Sequence, residues 1–156
     1  MGMMGATREQ RALAALRIAL GAMFVWVFFE NLGKGAYTPS GYKGVIDYYL
    51  KNGHSPDAWK ALISVAAANA RIVAPLQAAT ELGFGVLLLT GVATRLVAAA
   101  AGAFLFTLWV SELGTSWIWE LGIPVIVAFS VAWGRAGRTW GVDALLARRS
   151  PGWRLG

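Results

Sequence analysis

The chain has 156 residues, 57% of them hydrophobic and 14% charged, with a positive mean hydropathy and a formal net charge of +6. It is one domain's worth of sequence with the composition of a membrane protein; the alternative is the helical core of a soluble one. Zero cysteines and a single histidine, His54, exclude disulfides, thiol chemistry and two-histidine haem ligation within the chain, and leave no expectation of a haem or metal bound by this chain alone.

A membrane-crossing helix needs about 20 mostly apolar residues. Residues 12–32, 72–90, 96–111 and 117–134 qualify, and they predict an all-α fold: a four-helix transmembrane bundle in one integral-membrane domain covering residues 1–156. The first stretch has a basic lead-in, Arg8 and Arg11, as a secretory signal has. Its apolar run exceeds the roughly 7–15 residues of a signal core, and no small-x-small cleavage site follows, so it reads as a helix of the mature protein. Its far end, "VFFENLGKG", sets Glu30, Asn31 and Lys34 against an almost unbroken apolar run. In a chain whose solvent is mostly lipid, those residues need a reason to be there.

An outer segment, residues 33–70, comes next. In "YKGVIDYYLKNG" Tyr42, Val45, Ile46 and Tyr49 recur at helical spacing and Gly53 serves as a stop, which predicts a short interfacial helix. "HSPDAWKAL" then offers Ser55 as an N-cap, Pro56 at the first helical position and Asp57 near the positive helix end. That helix is expected to run into the second span with a bend near Pro75. The segment reads as a lid over one end of the bundle; the sharper alternative is a docking surface or a gate to an outward-facing pocket.

Of the spans, the third is the shortest, and the second carries Pro75, Gln77 and Glu81. Small residues, Ala15, Ala19 and Ala22 on the first helix and Ala98, Ala101 and Gly102 on the third, are expected to be packing faces. Arg8, Arg11, Arg95, Arg135, Arg138, Arg148, Arg149 and Arg154 fall at the two ends of the chain and between spans two and three, which places both termini in the cytoplasm by the bias of basic residues. The opposite side holds Lys34, Lys43, Lys51 and Lys60, partly offset by Asp47 and Asp57, and a last turn with no basic residue. Tryptophans fit this scheme as interfacial belts, with Trp109, Trp117 and Trp119 outside and Trp133 and Trp140 inside. The positive charge therefore reads as topology and attraction to anionic lipid; no aromatic and basic motif points to nucleic acid.

Glu30, Glu81, Glu112 and Glu120 make up half of the acidic residues, and each falls in or at the rim of a span. A charge at mid-bilayer costs about 2.5–3.5 kcal/mol on insertion scales, so such residues usually face the bundle and mark a function. Glu81 is the deepest. Gln77 and Glu81 lie four apart, as do Glu30 and Lys34, so each pair shares a helix face. In low dielectric a carboxyl favours its neutral, proton-carrying form. The alternative role is structural, with these glutamates joining helices through partners such as Asn31, Lys34, Arg71 and indoles; it is preferred for Glu112, which reaches the interface.

Three pieces together resemble the DoxX family, which includes the DoxD-type small subunit of thiosulfate:quinone oxidoreductase: "RIALGAMFVWVFFENLGKG", "ELGFGVLLLTGVATRLVAAAAG" and "WGRAGRTWGVDALLARR". The resemblance implies a four-helix prokaryotic membrane protein, in some members tied to quinone-linked oxidation of sulfur compounds or to membrane redox complexes. Its motif positions carry over to Lys34, Glu81, Thr94, Arg95, Arg138 and Asp143. Glu30 and Asn31 stand where the pattern has small or apolar residues, and the outer segment is longer than in a minimal version, which points away from thiosulfate and to a specialised subgroup. Arg95, Arg138 and Asp143 are expected to form an ion-pair cluster at the cytoplasmic surface, anchoring topology or, as the alternative, recognising phosphate or lipid headgroups.

Together these readings predict a polar site near the outer face of the inner membrane. Glu81, Glu30 and Glu120 are its candidate catalytic carboxyls, and Asn31, Lys34, Gln77, Trp26, Trp109 and Trp119 its candidate quinone contacts. The rival reading is a non-catalytic subunit that anchors a larger complex, or a homo-oligomer; transport is a third, for which no inverted repeat speaks.

Overall fold

The computed structural model describes residues 6–150 and 152; Arg154, one of the arginines used to orient the chain, lies outside them. Among the described residues the chain is helical throughout: α1 (Arg8–Gly33), α2 (Pro39–Asn52), α3 (Asp57–Ala68), α4 (Ala70–Thr90), α5 (Thr94–Ser111), α6 (Trp119–Trp133), a 3-10 turn (Ala136–Arg138) and α7 (Val142–Arg149). α1, α4 and α5 are long and apolar enough to cross a membrane. The shortest apolar helix is not α5, as the sequence suggests, but α6: its 15 residues rise only about 22 Å against a hydrocarbon core of about 30 Å.

α1 starts on a capping box: the Thr7 hydroxyl accepts from the Gln10 N–H at 3.3 Å, and the Gln10 side chain accepts from the Thr7 N–H at 3.0 Å. Its buried stripe is Ala14, Arg17, Leu20, Gly21 and Phe24, whereas Ala15, Ala19 and Ala22 face outward. That reverses the expected packing face, and the glycines explain why. α1 crosses α4 at Gly21 and Gly85; a Cβ on Gly21 would stand 2.9 Å from the Leu89 nitrogen, and one on Gly85 3.1 Å from that of Val25. In lipid, where apolar area gives helices no mutual drive, such close backbone approach decides the contact. Ala98, Ala101 and Gly102 of α5 are buried as expected.

α6 packs on α5 and α1, and α1 on α4. Leu20, Phe24, Leu88, Leu105, Val125 and Val131 lie in the resulting core, and the rings of Phe24, Phe84 and Phe104 meet at its middle with centroids 5.5–6.4 Å apart. Outward, α1, α4, α5 and α6 present Trp26, Ile72, Leu96, Ile126 and Trp133. So large an exposed apolar surface is the face of a protein that sits in lipid.

The outer segment has its own small core, Tyr42, Ile46, Ile63, Ala67, Ala70 and Ala74. Thr38 caps α2 by accepting from the Gly41 N–H at 3.1 Å, with Pro39 at the first helical position. Ser55, in contrast, is not the cap of α3, which begins at Asp57 after Pro56. Its hydroxyl donates instead to the carbonyls of Val110 and Ser111, at 2.7 and 3.2 Å. Those carbonyls end α5 and have no partner within their own helix, so the buried hydroxyl is drawn to them. The Trp59 indole N–H donates to Ser111 Oγ at 2.9 Å, and the His54 N–H to the Leu113 carbonyl. The segment is thus stitched to the carboxyl end of α5. The bend between α3 and α4 falls at Asn69 rather than near Pro75, because Asn69 Nδ2 bonds back to the Val65 carbonyl at 2.8 Å and ends the helix there.

Candidate functional site

Two clusters of buried polar groups sit at opposite ends of the α1–α4 pair. At one end, Glu81 is 1% exposed. Its Oε1 accepts from Gln77 Nε2 at 2.8 Å, and its Oε2 from Asn31 Nδ2 at 3.2 Å and from the Tyr37 hydroxyl. Gln77 reaches it from one helical turn away on α4, and Asn31 from the last turn of α1. Tyr37 comes from the connector beyond Gly35, whose left-handed φ of 70° folds the chain back. The Tyr37 ring stacks on Phe28 with centroids 5.5 Å apart. Burial, then the hydrogen bond to Glu81, push the Tyr37 phenol up from its ordinary value. All three donors to Glu81 are neutral.

The other expected residues lie apart from Glu81. Lys34 Nζ pairs with Glu30 Oε1 at 2.6 Å, with both side chains about half exposed or more; such a surface pair contributes about 0–1 kcal/mol. Glu120 is exposed and borders an open outer groove of about 550 Å³ that Tyr48, Tyr49 and Glu112 also line. Trp26 and Trp119 face outward, and the Trp109 indole donates to the Ile118 carbonyl at 2.7 Å. Of the predicted site, Asn31 and Gln77 meet Glu81, while Glu30, Lys34, Glu120 and the tryptophans do not. Among the described residues no three acidic or histidine side chains converge as metal ligands would.

Glu112 ties α2 to the end of α5: it accepts from the Tyr49 hydroxyl at 2.8 Å and from Ser116 Oγ at 3.1 Å. Burial first, then the Glu112 charge and hydrogen bond, hold the Tyr49 phenol above its ordinary value. A raised folded value means that the stabilising contribution is fully present below the unfolded tyrosine pKa of about 10 and is lost as pH rises toward the folded one. In an alkaline titration the protein should lose stability above about pH 10, and Tyr49→Phe should flatten that loss; an unchanged slope in the variant, read by thermal unfolding at each pH, removes Tyr49 as its cause.

At the opposite end of the α1–α4 pair lies a second buried cluster, built around Asp143. Asp143 of α7 is 0% exposed. Its Oδ1 accepts from the Ala93 N–H and its Oδ2 from the Thr94 N–H, each at 2.8 Å, while its own N–H donates to the Gly91 carbonyl at 2.9 Å. The reason is local: the first amides of α5 have no intrahelical partner, and a carboxylate satisfies both them and the positive helix end. Asp143 acts electrostatically on Arg17, which is also 0% exposed and donates from Nη2 to the Trp140 carbonyl at 2.9 Å. Gly91, Gly137 and Gly141 admit these groups, since a Cβ on any of them would overlap Arg17 or Asp143. Arg95 stays exposed outside the cluster, and Arg138 lies on the 3-10 turn.

Sequence reasoning passed over Tyr37 and Arg17. No local pattern signals Tyr37, whose role depends on how the connector folds back. Arg17 did leave a signal, a lone charge within the apolar run from residue 12 to residue 29. The family model described as DoxX matches residues 12–112, which takes in Arg17, Glu81 and Thr94 and stops short of Asp143. Comparison with curated proteins and with solved structures finds no match.

Proposed function

Because the chain belongs to the DoxX family, we propose that it is a membrane subunit of a quinone-linked redox system, with α1, α4, α5 and the shorter α6 crossing the inner membrane as a four-helix bundle and both termini cytoplasmic. The observation that carries this reading is Glu81, a carboxyl buried in an apolar bundle and held by Asn31, Gln77 and Tyr37. Neutral amide and phenol donors beside a carboxyl are the set that a quinone headgroup needs for its oxygens and its protons. A quinone bound there supplies the redox chemistry; a partner subunit supplies or takes the electrons, since this chain has no cysteine and one histidine. Gln77 and Asn31 orient the Glu81 carboxyl, Tyr37 covers it from the outer side, and Glu81 holds or releases the proton.

Glu81→Gln is expected to cut quinone-linked turnover in native membranes by about a hundredfold or more while the protein still inserts. Mass spectrometry of proteins and lipids retained after gentle detergent extraction should find quinone and a flavin- or sulfur-handling partner. Turnover at the wild-type rate in Glu81→Gln sinks the catalytic reading. The second reading, a non-catalytic subunit that anchors a larger complex, then takes its place; it is favoured by the surface positions of Glu30 and Glu120 and by the lid stitched over α5.

A further inference from the structure

At the inner cluster, donors outnumber the acceptors that face them. Both oxygens of Asp143 are engaged by the amides of Ala93 and Thr94. Arg17 Nε and Nη1 and Thr94 Oγ1 remain buried with no hydrogen-bond partner. Such groups each carry a desolvation penalty and call for an explanation. A planar carboxylate cannot serve two amides, the rest of a guanidinium and a hydroxyl together. A tetrahedral oxyanion, with more acceptor atoms pointing in more directions, can.

The geometry points to a binding site for an oxyanion of the phosphate or sulfate class, built from Arg17, Thr94 and the amino end of α5, in which Asp143 is the resident occupant that the ligand displaces. The chemistry is that of anion capture by a helix end reinforced with arginine. Three observations make the occupant releasable. Asp143 is the one buried residue among those of α7, whose Val142, Ala144, Leu146 and Ala147 are only half-buried. Arg135 and Trp140, which flank the 3-10 turn leading to it, stand in the left-handed region at φ 53° and 54°, a conformation that costs energy in a residue other than glycine. Exposed Arg135, Arg148 and Arg149 surround the site with positive charge, which draws anions toward it. A phosphate of this kind is offered both by free phosphate and by an anionic lipid headgroup, and the ligand and α7 compete for one place. Nothing in this site bears on quinone chemistry at Glu81.

The test uses the full chain in detergent and in nanodiscs. With Asp143→Ala, thermal stability should rise on adding inorganic phosphate or sulfate against chloride at equal ionic strength, with an apparent Kd at least about tenfold tighter than that of the wild type, because the competitor is gone. Adding Arg17→Gln should abolish the response. In the wild type, phosphate should speed tryptic cleavage after Arg148 as α7 lets go, a readout that serves even if Asp143→Ala does not fold. Stabilisation of Asp143→Ala, with faster cleavage of the wild type, in phosphatidylglycerol nanodiscs but not with free phosphate assigns the lipid headgroup as the source; the reverse assigns the free ion. A cleavage rate and stability indifferent to phosphate, sulfate and phosphatidylglycerol alike overturn the proposal.

Discussion

Asp143→Ala should destabilise the folded protein by about 3–5 kcal/mol, the scale on which removing one partner of a buried charge pair acts. The change withdraws two hydrogen bonds from the first amides of α5 and leaves Arg17 without the charge that faces it. It also frees α7, because no other residue described in that helix is buried. Asp143→Asn separates the contributions: it keeps one acceptor and the shape but loses the charge, and should fall between wild type and alanine. Denaturant or thermal unfolding of the purified protein in one detergent measures all three. If alanine melts within about a degree of wild type, which corresponds to well under 1 kcal/mol, Asp143 is not what holds the inner end together.

Gly85→Val should cost about 3 kcal/mol, at the upper end of overpacking, and should also loosen the outer cluster. A Cβ at this position would lie 3.1 Å from the Val25 nitrogen and 3.2 Å from the Gly21 carbonyl, both backbone atoms of α1 that cannot rotate away. The helices must part, and Asn31 on α1 then draws back from Glu81 on α4. Gly83→Ala on the same helix is the control, since a Cβ there meets nothing within 4 Å; it should be neutral or gain up to about 1 kcal/mol from helix propensity. Cross-linking between cysteines introduced at lipid-facing positions of α1 and α4 would report the separation. Equal stability of Gly85→Val and Gly83→Ala would show that the crossing is not as close as described.

Depth and helical spacing are enough to pair Gln77 with Glu81, because a carboxylate mid-way along an apolar helix and an amide one turn away depend only on the period of the helix; the contact with Asn31 runs between two helices. Glu30 and Lys34 shared that spacing and were grouped with them, yet four-apart spacing pairs residues on one face without saying which way the face looks; theirs looks outward. Glu120 likewise lies in the first turn of α6, as its sequence position suggests, and is exposed there. The alanine row of α1 was mistaken for its packing face because composition shows small residues but not that Gly21 and Gly85 meet backbone to backbone. Ser55, a good cap by type, was claimed by carbonyls about 55 residues away in sequence, and Tyr37 and Asp143 likewise act across distances that no local pattern records.

The capping of α5 by Asp143 also bears on the order in which the molecule is made. Chains emerge from the ribosome amino end first and their units fold in that order. α5 is therefore synthesised some fifty residues before the carboxylate that completes its first turn, and Arg17 waits longer still for its counter-charge. Until Asp143 leaves the ribosome, that end of the helices holds a guanidinium without this counter-charge and two unclaimed amides, and the nascent helices have a reason to stay near the water at the membrane surface. Closure of that end is left to the last helix described, so the packed helices are sealed there only once α7 has been made.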